Sequence, residues 1–252
     1  MMRLICIFFL LLSLNAKSQL AVFGGYNYLH APQWDETMFT YNFARPWQKN
    51  ELSPLTHGWE VRASWILRWK VIRSLYIQPQ IGIRQFTTSA ANNKEELFIR
   101  LRQYTAQVDI NFNPRALFQD VSAGPIGTRF MMYFSPAVHL WRPYSEQAGR
   151  TFYMNEDGED QSPSSWSWSV GLGAGYRSMT LFKNLIVTPK FGVRFSPVAE
   201  LIDFANAVQG ANATSLQDEA KNLWIAEAGI ELAWIFPRSK SGKGYNRPCS
   251  NC

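Results

Sequence analysis

Near its C-terminal end the chain alternates with a strict period of two. In residues 224–236, Trp224, Ala226, Ala228, Ile230, Leu232, Trp234 and Phe236 fall on one face, while Glu227, Gly229, Glu231 and Ala233 fall on the other. This is the pattern of a β-strand lying between two different environments. The segment is long for a strand, and its apolar face carries a tryptophan near each end.

Alternation alone also suits a soluble sheet whose apolar face is the core, so the spacing of the aromatics carries the next step. Trp59 and Trp69, Trp166 and Tyr176, and Trp224 and Trp234 are three pairs, each ten residues apart on the apolar face of its own segment. Ten residues at ~3.3 Å each, tilted by ~40°, rise about 25 Å, the height of the apolar band of a membrane β-barrel. After residue 14 no apolar run approaches the roughly 18 residues of a spanning helix, so any crossing is made by strands.

Seven further segments read as strands. The first, residues 20–28, has no assignable facing. Residues 57–70 set Trp59, Val61, Ala63, Trp65, Leu67 and Trp69 against Glu60, Arg62, Ser64 and Arg68. Residues 75–86 set Ile77, Pro79, Ile81 and Ile83 against Gln78, Gln80, Gly82 and Arg84. Residues 97–112 set Tyr104, Ala106, Val108, Ile110 and Phe112 against Gln103, Thr105, Gln107, Asp109 and Asn111. Residues 129–141 place Arg129, Tyr133, Ser135 and His139 on the polar face, residues 166–177 a serine and glycine run with Arg177, and residues 185–196 Thr188, Lys190, Gly192 and Arg194.

The expected fold is therefore all-β, a closed antiparallel eight-stranded transmembrane up-and-down barrel, because an even count in the smallest size closes without an edge. Long connections alternate with short ones, which places both mature termini in the periplasm. Gly82, Gly171, Gly173, Gly175 and Gly192 lie on the polar face, where they would weaken an exposed sheet but make room inside a narrow barrel. That orientation puts the polar face inward. The alternative, a soluble calycin-like barrel, would put the apolar face inward.

The expected domain division is a signal peptide at 1–18, the barrel at 19–236 and a periplasmic tail at 237–252. Residues 1–3 are a short basic start, 4–14 an apolar run, and Ala16-Lys17-Ser18 supplies small residues before a cleavage at about Gln19. Cys249 and Cys252 form a C-x-x-C in the tail, a candidate disulfide in an oxidising compartment, with neither a second ligand pair nor a helix-opening redox context.

On these residues the chain resembles the small, about eight-stranded outer-membrane β-barrel proteins of Gram-negative bacteria, over about residues 20–236. The closing Trp234-Ile235-Phe236 is similar to the aromatic end that the barrel-assembly machinery recognises in that family, although a further sixteen residues follow here. The resemblance implies location in the cell outer membrane, with outer-membrane lipid, the barrel-assembly machinery and a periplasmic or extracellular protein as partners. It implies little about activity.

Interior charges on this reading are Arg62, Arg68, Arg84, Arg129, Arg177, Lys190 and Arg194 against Glu60, Asp109, Glu227 and Glu231. An eight-stranded barrel is filled by its own side chains, so these groups should pair into a plug. In the hairpin of the last two strands, the expected register sets Lys190 opposite Glu231 and Arg194 opposite Glu227. Function then divides into two classes. One is a non-channel structural or binding component, such as an accessory of a secretion or envelope complex, the type IX apparatus among them. The other is a lipid-modifying acyl hydrolase or transferase, for which His139 with Ser135 is the candidate pair, although no spacing demands a catalytic site. The acidic run 155–160 lacks the spacing of a calcium loop, and no cofactor, metal or nucleic acid is expected. Trp34, Phe39, Tyr41, Phe43 and Trp47 crowd the first outer connection and point to a contact surface or a loop folded over the barrel mouth.

Overall fold

The computed structural model describes residues 19–43, 50–68, 75–91, 96–114, 130–147, 150–151, 165–177, 180–182, 185–199 and 220–234. The strands are β1 (Gln19–His30), β2 (His57–Arg68), β3 (Leu75–Ala91), β4 (Glu96–Phe112), β5 (Phe130–Gln147), β6 (Arg150–Thr151), β7 (Ser165–Tyr176), β8 (Thr180–Phe182), β9 (Leu185–Ala199) and β10 (Ala220–Trp234). A helix, α1 (Pro32–Phe43), follows β1. Eight strands pair in the ring β1-β2-β3-β4-β5-β7-β9-β10, and β10 returns to β1, so the antiparallel sheet closes on itself. The short β6 pairs with β5 and the short β8 with β9, both antiparallel.

The ladders fix the shape of the ring. Leu20 faces Trp65, and with the register of each ladder carried across its gap at Trp65 and at Val108, the row runs on through Pro79, Val108, Pro136, Val170, Phe195 and Trp224 to His30, ten residues farther along β1. That shear over eight strands tilts them by about 40° to the axis and leaves an interior just wide enough for side chains. The prolines obey the same geometry. Pro79 pairs with Val108 and Pro136 with Val170, whereas the ladder on the other side of each is interrupted, between Ser64 and Leu67 and between Gln107 and Ile110. A missing N–H thus breaks one ladder and spares the other.

Burial follows the expected alternation. On β1, whose facing the sequence left open, Ala21, Phe23, Asn27 and Leu29 point inward. Leu172, Ile81, Phe191, Ile230 and Trp168 are among the exposed outward residues. Among the described side chains below Arg102 and Arg142, no outward position of the eight strands carries Asp, Glu, Lys or Arg. Several strands run farther than their expected ends: β3 reaches Ala91, β5 reaches Gln147, and the connection read as a loop at 87–96 is mostly strand.

In those extensions the inward parity holds while the chemistry of the two faces is exchanged. On β4, Gln103, Thr105, Gln107 and Asp109 are buried below Leu101, and above it the buried residues are Leu97, Ile99 and Leu101 while Arg100 and Arg102 face out. The inner ends of β3, β5 and β10 do the same with Phe86, Trp141, Leu223 and Ile225. Helix α1 lies over this end. Proline in its first turn suits the unpaired N–H groups there, and Trp34 and Met38, one turn apart, are buried with Leu52, Leu55 and the inward apolar residues in one cluster. Trp34 meets Trp141 edge to face at 6.0 Å between ring centroids. The segment after the helix is tied down by Asn42, which donates to the Leu52 carbonyl at 2.9 Å and accepts from its N–H at 2.8 Å. At the opposite end a smaller apolar cluster of Ala21, Ile66, Ile186 and Ala233, with Tyr76 against it, forms the floor.

Candidate functional site

Between cap and floor lies a layer of charge. Arg84 Nη2 donates to Glu60 Oε2 at 2.9 Å and to Glu227 Oε2 at 3.1 Å. Arg62 sits 3.4 Å from Glu60 and 3.5 Å from Glu227, with its guanidinium 4.0 Å from the Phe23 ring centroid. Tyr133 donates its hydroxyl to Glu227 Oε1 at 3.0 Å. Nearer the floor, Lys190 Nζ is 2.7 Å from Glu231 Oε2 and 3.5 Å from Asp109 Oδ2. Gln78 donates to Glu231 at 2.6 Å, and Gln80 and Gln107 both donate to Asp109. Four carboxylates meet three cations in this layer, and each of the seven residues is buried. Charges in so dry a place persist only when paired and hydrogen-bonded.

Arg194 is the exception in kind. It donates to the Ser135 carbonyl and hydroxyl, to Ser169 Oγ and to Gln107 Oε1 at 2.9–3.1 Å, with no ion pair to a described carboxylate. Neutral acceptors surround it.

The register of the last hairpin differs from the expected one by two residues. Trp224 does pair with Phe195, but Lys190 lies opposite Gly229, Arg194 opposite Ile225, Glu231 opposite Thr188 and Glu227 opposite Gly192. Lys190 still reaches Glu231 diagonally, whereas Glu227 takes Arg62 and Arg84 in place of Arg194. The reason is volume. Large interior residues face glycines across the ladders: Glu60 opposite Gly25, Arg62 opposite Gly82, Tyr133 opposite Gly173 and Arg194 opposite Gly171. Large faces small around the ring, as a narrow interior demands. A Cβ at Gly173 would collide with the Tyr133 ring, and one at Gly192 would come within 2.5 Å of the Tyr133 oxygen, so these glycines admit the phenol that reaches Glu227.

Of the other expected charges, Arg177 lies just past β7, its guanidinium 5.4 Å from the Tyr76 ring centroid. Arg68 ends β2, opposite Tyr76. Arg129, Trp69, Phe236, Cys249 and Cys252 lie outside the described residues, as do the expected signal peptide, the acidic run and the tail. The aromatics Trp59, Trp166, Tyr176, Trp224 and Trp234 are all exposed on the outward face. His139 is not paired with Ser135. Its Nδ1 is 3.0 Å from Thr105 Oγ1 and its Nε2 is 2.6 Å from Ser169 Oγ, directly beneath Trp141. Sequence reasoning missed the roles of Phe23, Ser169 and Tyr133, whose neighbours are set by register and not by parity.

An ion-paired interior inside an uncharged apolar sleeve is a soluble protein turned inside out, and it defines the class: a membrane-spanning β-barrel that its own side chains fill. No protein-family model matches the sequence, and no curated protein matches it. Solved structures with a similar fold include Neisserial surface protein A, NspA (11% identity, TM-score 0.41, 88% of this chain and 98% of that one), and Ail, the attachment invasion locus protein of Yersinia pestis, in complex with the heparin analogue sucrose octasulfate (8%, 0.43, 86% and 97%). The outer membrane protein OprG from Pseudomonas aeruginosa is a third (9%, 0.35, 87% and 97%).

Proposed function

We propose that the chain is a non-conducting barrel of the bacterial outer membrane, acting as a structural or binding component. One observation carries this reading: the interior is filled along its length by the apolar floor, the ion-paired layer and the cap under α1. Ions would have to displace buried partners to pass. Purified protein in a planar bilayer should give no stable open channel, and a steady large conductance would overturn the proposal.

Location follows from the sleeve. The protein should fractionate with the outer membrane and run faster on gels when unheated, because a closed barrel resists detergent. The α1 end would face outward and both mature termini the periplasm, a topology that protease added to intact cells tests at α1. As an accessory of an envelope or secretion complex, such as type IX, the chain would present α1 and the outer connections to a partner, and crosslinking followed by mass spectrometry would identify it. The alternative, a lipid-modifying enzyme, would rest on Ser169 beside His139. Labelling of Ser169 by a serine-reactive phosphonate would favour it.

A further inference from the structure

Among the described residues, the exposed large apolar side chains lie on the outward face of the barrel strands with two exceptions, Phe39 and Phe43 of α1. Lipid covers the strand residues in a membrane-spanning barrel, but not a helix laid over the mouth. Phe43, at 78% exposure, is the most open of them all, and its ring stacks on that of Phe39 at 6.4 Å between centroids. At 3.6 residues per turn, Pro32, Glu36, Phe39 and Phe43 form one exposed stripe on the side of the helix opposite Trp34 and Met38. Helix α1 thus closes the barrel with one apolar face and holds out a second. Exposed aromatic patches of this kind mark contact surfaces.

Charge decides what fits there. Thr40, beside the stripe, donates its hydroxyl to the Glu36 carbonyl at 2.9 Å, so the charged group on this face is the exposed Glu36 carboxylate. Asp35 adjoins it, and the exposed Glu51 precedes the Leu52 that Asn42 holds to the helix. Helix α1 contains no lysine or arginine; Arg45 and Lys49, which follow it in sequence, lie outside the described residues. A headgroup phosphate, or the α1 of a second copy, would bring negative charge against these acids. A polypeptide segment carrying arginine would bring the opposite charge, and a guanidinium both stacks on a phenylalanine ring and pairs with a carboxylate. The interior already uses that combination, with Arg62 4.0 Å from the Phe23 ring centroid and 3.4 Å from Glu60. We propose that the outer stripe of α1 docks a segment of a protein partner that carries arginine beside apolar side chains. This rests on the reading of the chain as a binding component with α1 facing outward.

The test uses full-length mature protein in nanodiscs of zwitterionic lipid, with empty discs as reference, and three labelled synthetic peptides of equal length. One combines arginine with tryptophan, one glutamate with tryptophan, and one arginine with serine. Fluorescence anisotropy should show the first binding at least about tenfold tighter than either of the others. The double variant Phe39→Gln, Phe43→Gln should lose that binding, and Glu36→Lys should turn the preference toward the glutamate-bearing peptide. Both variants change exposed side chains, so hydrogen exchange in α1 should match wild type; Glu36→Lys keeps the test decisive if the double variant frays the helix. Equal binding of the arginine and glutamate peptides, or unchanged binding by the double variant, would overturn the proposal. So would discs that pair with one another, or retain phosphorylated lipid A, through Phe39 and Phe43. Failure of the non-conducting reading shows separately, as bilayer conductance that these substitutions leave unaltered.

Discussion

Strand β4 carries two proteins in one strand. From Gln103 to Phe112 its inner side is polar and its outer side apolar; from Leu97 to Arg102 the assignment is reversed. The lower half obeys the rules of a membrane protein, in which lipid solvates the outside and ion pairs fill the inside. The upper half obeys those of a soluble one, with α1 closing a dry core. The two halves should therefore fail differently. Below, stability depends on complete pairing of buried charge; above, on buried apolar area and packing.

The sharpest test of the lower half is Glu227→Gln, which leaves Arg62 and Arg84 each short of a partner. Loss of one member of a buried pair costs about 3 to 5 kcal/mol, and the whole barrel should unfold at lower denaturant, read from gel mobility. In the upper half, Leu101→Ala should cost about 2 to 5 kcal/mol locally. Hydrogen exchange in α1 and protease cleavage near residue 52 should rise while the unheated gel mobility of the barrel stays. If Leu101→Ala destabilised the barrel as much as Glu227→Gln, the two halves would be one cooperative unit. A smaller step is Asn42→Ala, which removes both bonds to Leu52 and should loosen the cap by about 1 to 2 kcal/mol in the same exchange measurement.

Smallest of all is a pH effect at Asp35. Partial burial raises its carboxyl above the usual range, with His30 opposing. A raised folded-state value means that protonation favours the folded cap, so the contribution is present at acid pH and is lost as pH rises through the raised value. Exchange in α1, corrected for intrinsic rate, should be slightly slower near pH 4 than near pH 7, and Asp35→Asn should abolish the difference.

The facing of seven strands was legible because period two is a property of single strands, and Glu227, Glu231, Lys190 and Arg84 could be placed inward from parity alone. Register was not. A slip of two keeps every parity, and Lys190 is long enough to meet Glu231 across the diagonal, so no pattern within one strand separates the two cases. The choice was made by glycines opposite large residues, a relation between strands. The upper core did leave a mark, since apolar residues hold the odd positions at Leu97, Ile99 and Leu101 and the even positions from Tyr104 onward. That phase shift marks on β4 the level at which the interior turns from apolar to polar. Helix α1 was legible only as an aromatic-rich connection, because Trp34 and Met38 acquire their partners from strands far away in sequence.

Glu227 and Glu231, half of the acids in the charged layer, both belong to β10, the last of the described strands in chain order. Until β10 docks, Arg62, Arg84, Lys190 and Arg194 confront only Glu60 and Asp109, and a sheet open along one side must keep those cations wet. Zipping the seam between β10 and β1 brings neutrality and dehydration together. The closed ring therefore has the character of a lock whose final tooth turns the mechanism: without β10 the charged layer is neither neutral nor dry.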